Sequence, residues 1–338
     1  MAARGGQAQE SGTNIERRLG QGAMSPELRG FRFALSVNRM LDSLDDWRQT
    51  VAEAESRGYS ALVLGDHLGA ERYAAVPALA YAAAQTSRLR LGSFLFNNDF
   101  RHPAVLAKEV ATLDIMTGGR FEFGIGAGWM RGDYEMTGIR KDPGPIRAER
   151  LEEALVVLKG LFAPGPLTFE GRHYRISALE GLPKPAQSPH PPIVVGGGSR
   201  EVLAVAARQA DVASLNPVHR RGVPGAGPEL SWSALAERVA WVAEFSSGRP
   251  QPPDLHLLIH GMAIEAAPGP GAARVASDNR LSPEEALASP YLLIGSAGEA
   301  ARRLEEIRSR LGIAYFSVRA ADAEQFQPVL EALTPPPA

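Results

Sequence analysis

The stretch Gly119-Arg-Phe-Glu-Phe-Gly-Ile-Gly-Ala-Gly-Trp129 reads as a strand that ends in three alternating glycines. Glycines at a strand end suggest a dinucleotide fingerprint, which requires Gly-x-Gly-x-x-Gly and an acidic residue about 20 positions later, at the end of the next strand. Here the spacing is Gly124-x-Gly126-x-Gly128, and the polar segment that follows contains two prolines and no second strand in range. The stretch therefore lacks the fingerprint, and the number of strands in the chain has to decide the fold.

Short apolar runs of β type alternate with segments of helical period, which is typical of βα units and a parallel sheet. The eight runs begin at Phe31, Ser60, Arg88, Phe121, Pro192, Asp211, Leu255 and Ala314. Between them, apolar residues recur at steps of three and four, for example in the stripes that begin at Leu44, Leu151 and Ala300. Eight βα units predict one closed (β/α)8 TIM barrel, and a doubly wound open sheet is the competing architecture.

The composition limits the classes of partner. The 338 residues include 36 Lys and Arg against 38 Asp and Glu, so a net charge of −2 gives no reason to expect nucleic acid or an anionic membrane. The chain has no cysteine, which excludes disulfides, thiolate metal sites and a cysteine nucleophile. No apolar run reaches the roughly 18 residues of a membrane helix. We therefore expect a cytoplasmic protein whose partner is a small molecule or another protein.

The polar, glycine-rich residues 1–29 predict a mobile N-terminal tail, and residues 30–334 predict a single barrel domain. A hairpin turned at Glu170-Gly171 is expected before strand five. Insertions after barrel strands lie at the C-terminal rim, where they act as lids or as inert surface loops. The segments that interrupt the alternation are residues 163–191, 217–229 and 266–290.

Two groups of glycines follow strands. Gly124, Gly126 and Gly128 lack Cβ atoms, which lets a flat ligand or another backbone come close, and tight barrel packing is the alternative. Gly196, Gly197 and Gly198 precede Ser199 at the predicted start of a helix. Free N–H groups and the positive end of the helix dipole favour a phosphate there, with a plain tight turn as the alternative.

Asp66 and His67 are placed at the end of strand two by the run "ALVLGDH". A histidine at the C-terminal end of a barrel strand is a candidate proton donor or acceptor, helped by carboxylates such as Asp133. Asp66 either orients the histidine or accepts a hydrogen bond from a ligand; the alternative is an ordinary turn cap beside an ordinary rim residue. The histidine spacings of common metal hydrolases are missing, so we expect no metal site.

Several motifs, in this order, resemble the bacterial luciferase-like flavin and deazaflavin oxidoreductases. They are "LVLGDH" ending at His67, "LGSFLFNNDFRHPAVLAKEVATLD" from Leu91, "GGRFEFGIGAGWMRGDYEMTG" from Gly118, "RLEEALVVLKGLF" from Arg150, "PPIVVGGGSREVLAVAARQAD" from Pro191 and "LLIGSAGEAARRLEEIRSRLGIAYF" from Leu292. The resemblance covers about residues 31–332, and within the family the pattern is most similar to the branch that uses coenzyme F420. It implies a TIM barrel with insertions and a homodimer.

The resemblance also implies where a cofactor is held. Its ring would rest against the end of strand three at Ser93 and Phe94, the positions that match a non-proline cis peptide in many members. Its phosphate would lie on Gly196 to Ser199, in agreement with the reasoning from the residues alone. Asp66 matches an acid that contacts the pyrimidine side of the ring, and His67 matches a proton donor or acceptor.

Trp129 departs from the family pattern, because sugar-phosphate dehydrogenases of the family have a glutamate there as general acid. We therefore predict an F420-dependent hydride-transfer oxidoreductase with His67 and Trp129 at its reaction centre and the ring near Gly126 and Gly128. A monooxygenase that uses reduced FMN and O2 is the alternative. A barrel that binds a ligand without a cofactor is the third hypothesis.

Overall fold

A computed structural model gives the fold, and it describes residues 30–37, 43–69, 73–218, 226–266 and 269–333. The predicted mobile tail, residues 1–29, lies outside the described residues, as do residues 219–225 of the second insertion. Within these ranges, no helix combines the length and the apolar character needed to cross a membrane.

Eight parallel strands form a closed barrel, as the sequence predicts. Going around the barrel they are β1 (Arg32–Val37), β2 (Ala61–Leu64), β3 (Arg90–Ser93), β5 (Phe121–Gly126), β8 (Ile193–Gly197), β9 (Val212–Leu215), β10 (Asp254–Leu258) and β13 (Tyr315–Arg319). β13 pairs with β1, and the pairing of Leu91 with Phe121 joins β3 to β5. Each barrel strand begins within or next to a predicted apolar run. The runs are visible in the sequence because strands buried on both faces are continuously apolar.

Helices follow the barrel strands and pack their apolar stripes on the outside. They are α1 (Leu44–Ser56), α2 (Ala75–Ala83), α3 (Pro103–Met116), α4 (Arg131–Thr137), α5 (Gly144–Phe162), α6 (Arg200–Gln209), α7 (Trp232–Phe245), α8 (Pro270–Asp278), α9 (Pro283–Ala288), α10 (Ala297–Leu311) and α11 (Ala323–Leu333). The stripes predicted from Leu44, Leu151 and Ala300 lie on α1, α5 and α10.

Five further strands stand outside the eight-membered ring or extend it. β4 (Phe96–Asn97) extends the edge of β3 along β5. β6 (Leu167–Glu170) and β7 (Arg175–Leu179) form the hairpin expected at Glu170-Gly171. β11 (Gly261–Ile264) pairs with β12 (Leu292–Gly295) in a separate two-stranded sheet. The sequence predicts one strand from Leu255, and this prediction is wrong beyond Leu258. The chain leaves the barrel there, and β11 pairs with β12 outside it.

The first and third insertions differ from the expectation of rim loops. Residues 163–191 follow a helix, so the chain returns to the N-terminal end of the barrel, where Gln187 donates to the carbonyl of Phe121 at 2.9 Å. Only the hairpin tip reaches the rim, through Tyr174 and Asn98. The third insertion, residues 266–290, follows β11 and contains the helices α8 and α9. Pro270 and Pro283 occupy the first turns of these helices, where a missing N–H costs nothing.

The barrel interior is polar at its N-terminal end. The Glu122 carboxylate on β5 accepts from Arg32 at 2.5 Å, Arg90 at 2.7 Å and the Tyr315 hydroxyl at 2.9 Å. Although burial raises the pKa of Glu122, the two arginines outweigh it and hold that pKa below its usual value. Branched apolar residues usually fill this layer of a barrel. Here the ionic cluster fills it instead.

A buried histidine occupies the layer above. His256 on β10 contacts the hydroxyls of Ser214 at 2.8 Å and Ser317 at 2.7 Å through its two ring nitrogens. Burial, with a smaller contribution from Arg32, lowers the pKa of His256 to about 3. The imidazole is therefore neutral at physiological pH, and one nitrogen donates while the other accepts.

Candidate active site

The C-terminal ends of β2, β3, β5 and β8 carry the residues that the sequence assigns to a site, apart from Asp133 on α4. Parallel strands place these ends on one rim, which is where barrel enzymes hold their reacting groups. The structure joins the predicted residues into two groups. His67, Asp66 and Trp129 lie around the ends of β2 and β5, and Gly196 to Ser199 lie at the end of β8.

His67 is held by a buried carboxylate. Its Nδ1 lies 2.7 Å from Oδ2 of Asp133, whose side chain is 1% exposed. The other oxygen of Asp133 accepts from the amide N–H groups of Leu68 and Gly69 at 3.2 and 3.3 Å. Because the amides that follow His67 hold the Asp133 carboxylate in place, that carboxylate sets the orientation of the imidazole. A carboxylate that binds one ring nitrogen directs proton exchange to the other, Nε2.

Trp129 packs edge-on against this imidazole. The two ring centroids are 5.6 Å apart at an interplanar angle of 85°. The backbone around Trp129 is anchored by cations: Lys141 donates to the Trp129 carbonyl at 2.6 Å, and Arg147 donates to the carbonyls of Ala127 and Gly128. The residue that departs from the family pattern therefore forms one wall of the space around His67.

Asp66 is engaged by the protein itself. Arg101 binds both carboxylate oxygens, at 2.6 and 3.0 Å, and the amide of Asn97 donates to Oδ2 at 3.0 Å. This ion pair ties β2 to the segment after β4. Asp66 does not bond to His67 in this arrangement, so of its two predicted roles only ligand contact stays a prediction.

Ser93 and Phe94 end β3 below the rim. The Ser93 hydroxyl donates to the carbonyl of Gly124 at 2.7 Å and accepts from the amide of Gly124 at 3.0 Å, so Ser93 locks β3 to β5. The Phe94 ring meets His256 edge-on at 5.1 Å. A cis peptide bond joins Phe94 to Leu95, one residue beyond the Ser93–Phe94 position that the resemblance implies.

The Cβ positions of the alternating glycines are occupied by other protein atoms, which favours the tight-packing alternative, and clearance for a cofactor ring stays a prediction. A Cβ at Gly124 would collide with the Ser93 carbonyl oxygen, and one at Gly126 would lie 3.2 Å from Leu95. A Cβ at Gly196 would lie 2.5 Å from the same leucine. These glycines therefore make room for Leu95 and the turn after β3, which is the tight-packing alternative. Backbone contact with a cofactor stays a prediction.

Gly128 has two reasons to be glycine: its φ is +76°, and a Cβ would collide with the Tyr134 hydroxyl and lie 2.5 Å from Oδ1 of Asn97. We expect Gly128→Ala to lower the free energy of unfolding by about 2–4 kcal/mol, since the left-handed conformation and overpacking both act against it. Gly144→Ala is the matched control, because nothing lies within 4 Å of its Cβ position in α5. Thermal unfolding of both variants measures the difference. Equal midpoints would show that the backbone at Gly128 relaxes freely.

Gly196 to Ser199 form the turn from β8 into α6. A Cβ at Gly197 would lie 2.5 Å from Val202, and one at Gly198 would collide with the carbonyl of Asn216, so the turn packs closely on both sides. Ser199 is the N-cap of α6 and accepts from the amide of Val202 at 3.4 Å. Within the described residues, the amides of Gly198, Ser199 and Arg200 donate no hydrogen bond. Three amide donors at the positive end of a helix can hold an anion.

A network that the sequence reasoning missed supports the wall of the site. The buried Tyr134 hydroxyl donates to Asp99 at 2.9 Å and contacts Asn97, while Arg150 binds the other oxygen of Asp99. Burial, with Asp99 as the next cause, raises the pKa of Tyr134 far above its usual value. Tyr134 and Asp133 are neighbours on α4, and a polar "RGDYE" turn immediately after a barrel strand was the available signal.

Among the described residues, Glu149, Glu153 and His173 have ligand atoms within 4.8 Å of one another. Their oxygens are already engaged: Glu153 accepts from the amides of Arg172, His173 and Tyr174, and Glu149 pairs with Arg172. These contacts explain the cluster as a clamp between α5 and the hairpin.

Curated relatives use two kinds of cofactor according to their names. An FMNH2-dependent dimethylsulfone monooxygenase of Pseudomonas putida is 38% identical over 109 residues, which cover 32% of this chain and 30% of that protein. An F420-dependent glucose-6-phosphate dehydrogenase of Microbacterium testaceum is 31% identical over 165 residues, covering 47% and 48%. The chain therefore spans from about a third to a half of the length of these relatives.

The fold is shared with an F420-dependent tetrahydromethanopterin reductase from Methanopyrus kandleri. The TM-score is 0.71 at 17% identity, and the match covers 89% of this chain and 98% of that one. The sequence model described as luciferase-like monooxygenase matches residues 17–230, more than half of the chain. These residues include β1 to β9, and with them Asp66, His67, Trp129 and the glycine turn after β8. The chain belongs to the luciferase-like monooxygenase family.

Proposed function

We propose that this protein is an F420-dependent oxidoreductase that transfers a hydride to or from a small organic or natural-product substrate. The reactions that fit are reduction of an activated C=C or C=N bond and oxidation of an alcohol. The observation that carries the hydride-transfer reaction is the His67–Asp133 pair, 2.7 Å apart at the end of β2 with Trp129 against the imidazole, and the similarity to an F420-dependent dehydrogenase supports the choice of F420. Each of these reactions moves one proton together with the hydride, and a histidine paired with a carboxylate at the rim could donate or accept that proton.

The residues present fit the group. The unpaired amides of Gly198, Ser199 and Arg200 would hold its phosphate, and the ring would extend from there over the ends of β3 and β5. When bound, the deazaflavin supplies a carbon, C5, that accepts or gives the hydride. His67 would exchange the proton through Nε2, and Asp133 would stabilise the imidazolium that forms when the ring takes the proton up. Trp129 would exclude water from that side and position the substrate.

An FMN-dependent monooxygenase is the second candidate, and the 38% identity to the dimethylsulfone monooxygenase supports it. The three amides of Gly198, Ser199 and Arg200, which we call the phosphate seat, would serve either cofactor, and so would the His67–Asp133 pair. The two candidates differ in their need for oxygen, because a flavin can activate O2 and a 5-carba flavin cannot.

Oxygen dependence is the experiment that tests the proposal. The protein is mixed with reduced F420 and a panel of enones, imines and ketones under nitrogen, and the return of the oxidised deazaflavin spectrum is followed. We expect turnover of at least one class without oxygen, at a rate unchanged by air. Turnover that occurs only with reduced FMN and only in air would establish the second candidate and overturn the first.

The phosphate seat predicts a large effect of one group on cofactor affinity. The ribityl deazaflavin that lacks the phosphate and the tail attached to it is expected to bind at least about tenfold more weakly than F420, because it leaves three amide donors and the helix dipole unused. Riboflavin against FMN isolates the effect of the phosphate alone. Fluorescence titration measures all four constants. Equal affinities with and without the phosphate would place the cofactor elsewhere.

A further inference from the structure

The last barrel strand, β13, ends in Arg319, which lies at the C-terminal end of the barrel. Tyr315 and Ser317 on β13 point inward, since their hydroxyls contact Glu122 and His256 inside the barrel. Side chains two residues apart on a strand share a face, so Arg319 continues this inward row. It is the final residue of β13 and therefore lies at the C-terminal mouth, on the rim that carries His67.

A cavity of about 400 Å³ opens beside Arg319, between the barrel mouth and the insertion that follows β11. The start of β11 and the helix α8 form its other walls. Its charged lining residues are Arg274, Asp278, Arg280, Arg319 and Asp322. Three cations against two carboxylates give the lining a net positive charge, and a volume of this size is that of a small-molecule site.

The cationic groups of the cavity are not neutralised by close ion pairs. Within the described residues, Arg274, Arg280 and Arg319 form no salt bridge, and Nε of Arg319 is buried without a hydrogen-bond partner. Burial lowers the pKa of Arg319, and the carboxylates of Asp322 and Asp278 oppose that shift. A guanidinium keeps its charge in proteins, so its buried donor costs free energy until a ligand accepts from it.

We propose that this cavity binds an oxyanion group of the substrate, a carboxylate, a sulfonate or a phosphate. The proposal rests on the proposed function, because it assigns the cavity to the molecule that reacts at His67. A planar guanidinium recognises two oxygens of such a group at once, which fixes direction as well as affinity. Arg319 would be the buried anchor, and the exposed Arg274 on α8 and Arg280 just after α8 would contact the anion from the other side.

The cofactor phosphate has a different seat on the same rim. That seat is at the end of β8, whereas the cavity lies at the ends of β10 and β13, two and three strands further around the barrel. A substrate anchored at Arg319 by its anion would extend across the mouth toward His67 on β2, which is the second strand beyond β13. The inference therefore predicts a substrate with its anionic group at one end and its reacting carbon at the other.

Anion titration of the cofactor-free protein tests this inference separately from the proposed function. Sodium phosphate, methanesulfonate and acetate are titrated at low ionic strength by calorimetry into the wild type, Arg319→Gln, Arg274→Gln and Arg310→Gln. Arg310 is the matched control, because it lies exposed on α10 and pairs with Glu306. We expect saturable binding of at least one anion, weakened at least tenfold by Arg319→Gln and at least threefold by Arg274→Gln, and unchanged by Arg310→Gln.

Phosphate that binds at the end of β8 would survive both cavity substitutions, so wild-type binding by Arg319→Gln and Arg274→Gln overturns the inference. Absence of saturable binding by all three anions also overturns it. Arg274 is exposed on α8, so its variant keeps the test valid even where Arg319→Gln fails to fold. Repeating the titration with bound F420 or FMN separates the sources of the anion. If the cofactor displaces the anion from this cavity, the site serves the cofactor and the substrate assignment is wrong.

Discussion

Replacing His67 with glutamine is expected to lower turnover by about 10²–10⁴-fold, the usual contribution of a positioned acid or base. Glutamine keeps a polar side chain near Asp133 but cannot exchange a proton at this site. Because the phosphate seat at the end of β8 is untouched, we expect the cofactor dissociation constant to stay within about threefold. The effect should appear in kcat, and the pH profile of the variant should flatten, since the group that exchanges the proton is gone.

His190→Gln is the matched control for this substitution. His190 precedes β8 at the N-terminal end of the barrel, where its Nδ1 contacts the carbonyl of Pro191 at 2.9 Å. The same chemical change there should leave kcat and its pH profile as in the wild type. Asp133→Asn should lower kcat without removing the imidazole, which identifies Asp133 as a positioning residue. Full activity of His67→Gln with an unchanged pH profile would show that the proton comes from another group.

Replacing Glu122 with glutamine is expected to lower the free energy of unfolding by about 3–5 kcal/mol, the usual cost of breaking a buried ion pair from one side. The change leaves Arg32 and Arg90 facing a neutral amide inside the barrel. Glu170→Gln is the control, because Glu170 is exposed on the hairpin and its ion pair with Arg175 spans 3.8 Å. A surface pair of this kind contributes less than about 1 kcal/mol. Thermal unfolding at pH 7 compares the two variants.

The effect of Glu122 has a defined pH dependence. The pKa of Glu122 is lower in the folded than in the unfolded chain, so its stabilisation is complete above the unfolded value, about 4.3, and is lost as the pH falls through the folded value. The stability difference between wild type and Glu122→Gln should therefore shrink as the pH falls below about 4. A difference that is constant from pH 7 to pH 3 would mean that Glu122 is not ionised in the barrel.

The barrel could be predicted from the sequence because burial on both faces leaves a strong signal. All eight barrel strands begin within or next to predicted runs, and the apolar stripes identify the helices outside them. The break after Leu258 could not be predicted, since "LHLLIHGMAI" is apolar throughout and only the pairing partner differs between β10 and β11. A hydrophobic run indicates burial and does not specify which sheet a strand joins.

The candidate site was predicted in part. His67 and the turn from Gly196 to Ser199 lie at strand ends, where the sequence places them, and Asp133, which the sequence offered as one of several carboxylates near His67, bonds to it across 66 residues. A missing Cβ near Gly126 indicates a close approach but does not identify the approaching group, so the sequence left a ligand and tight packing as alternatives, and the structure places Leu95 beside Gly126. The charged cluster inside the barrel was not predicted. The available signal was Glu122 between two phenylalanines, because neighbouring residues on a strand point to opposite faces.

Paired titration of the purified protein with oxidised F420 and with FMN is the most direct test of the central claim. Both cofactors carry a phosphate that the proposed seat at Gly198 to Arg200 would bind, so the comparison isolates the ring and the remainder of the tail. We expect a micromolar or tighter dissociation constant for F420 and a constant at least tenfold weaker for FMN. Tight binding of FMN together with no detectable binding of F420 would contradict it.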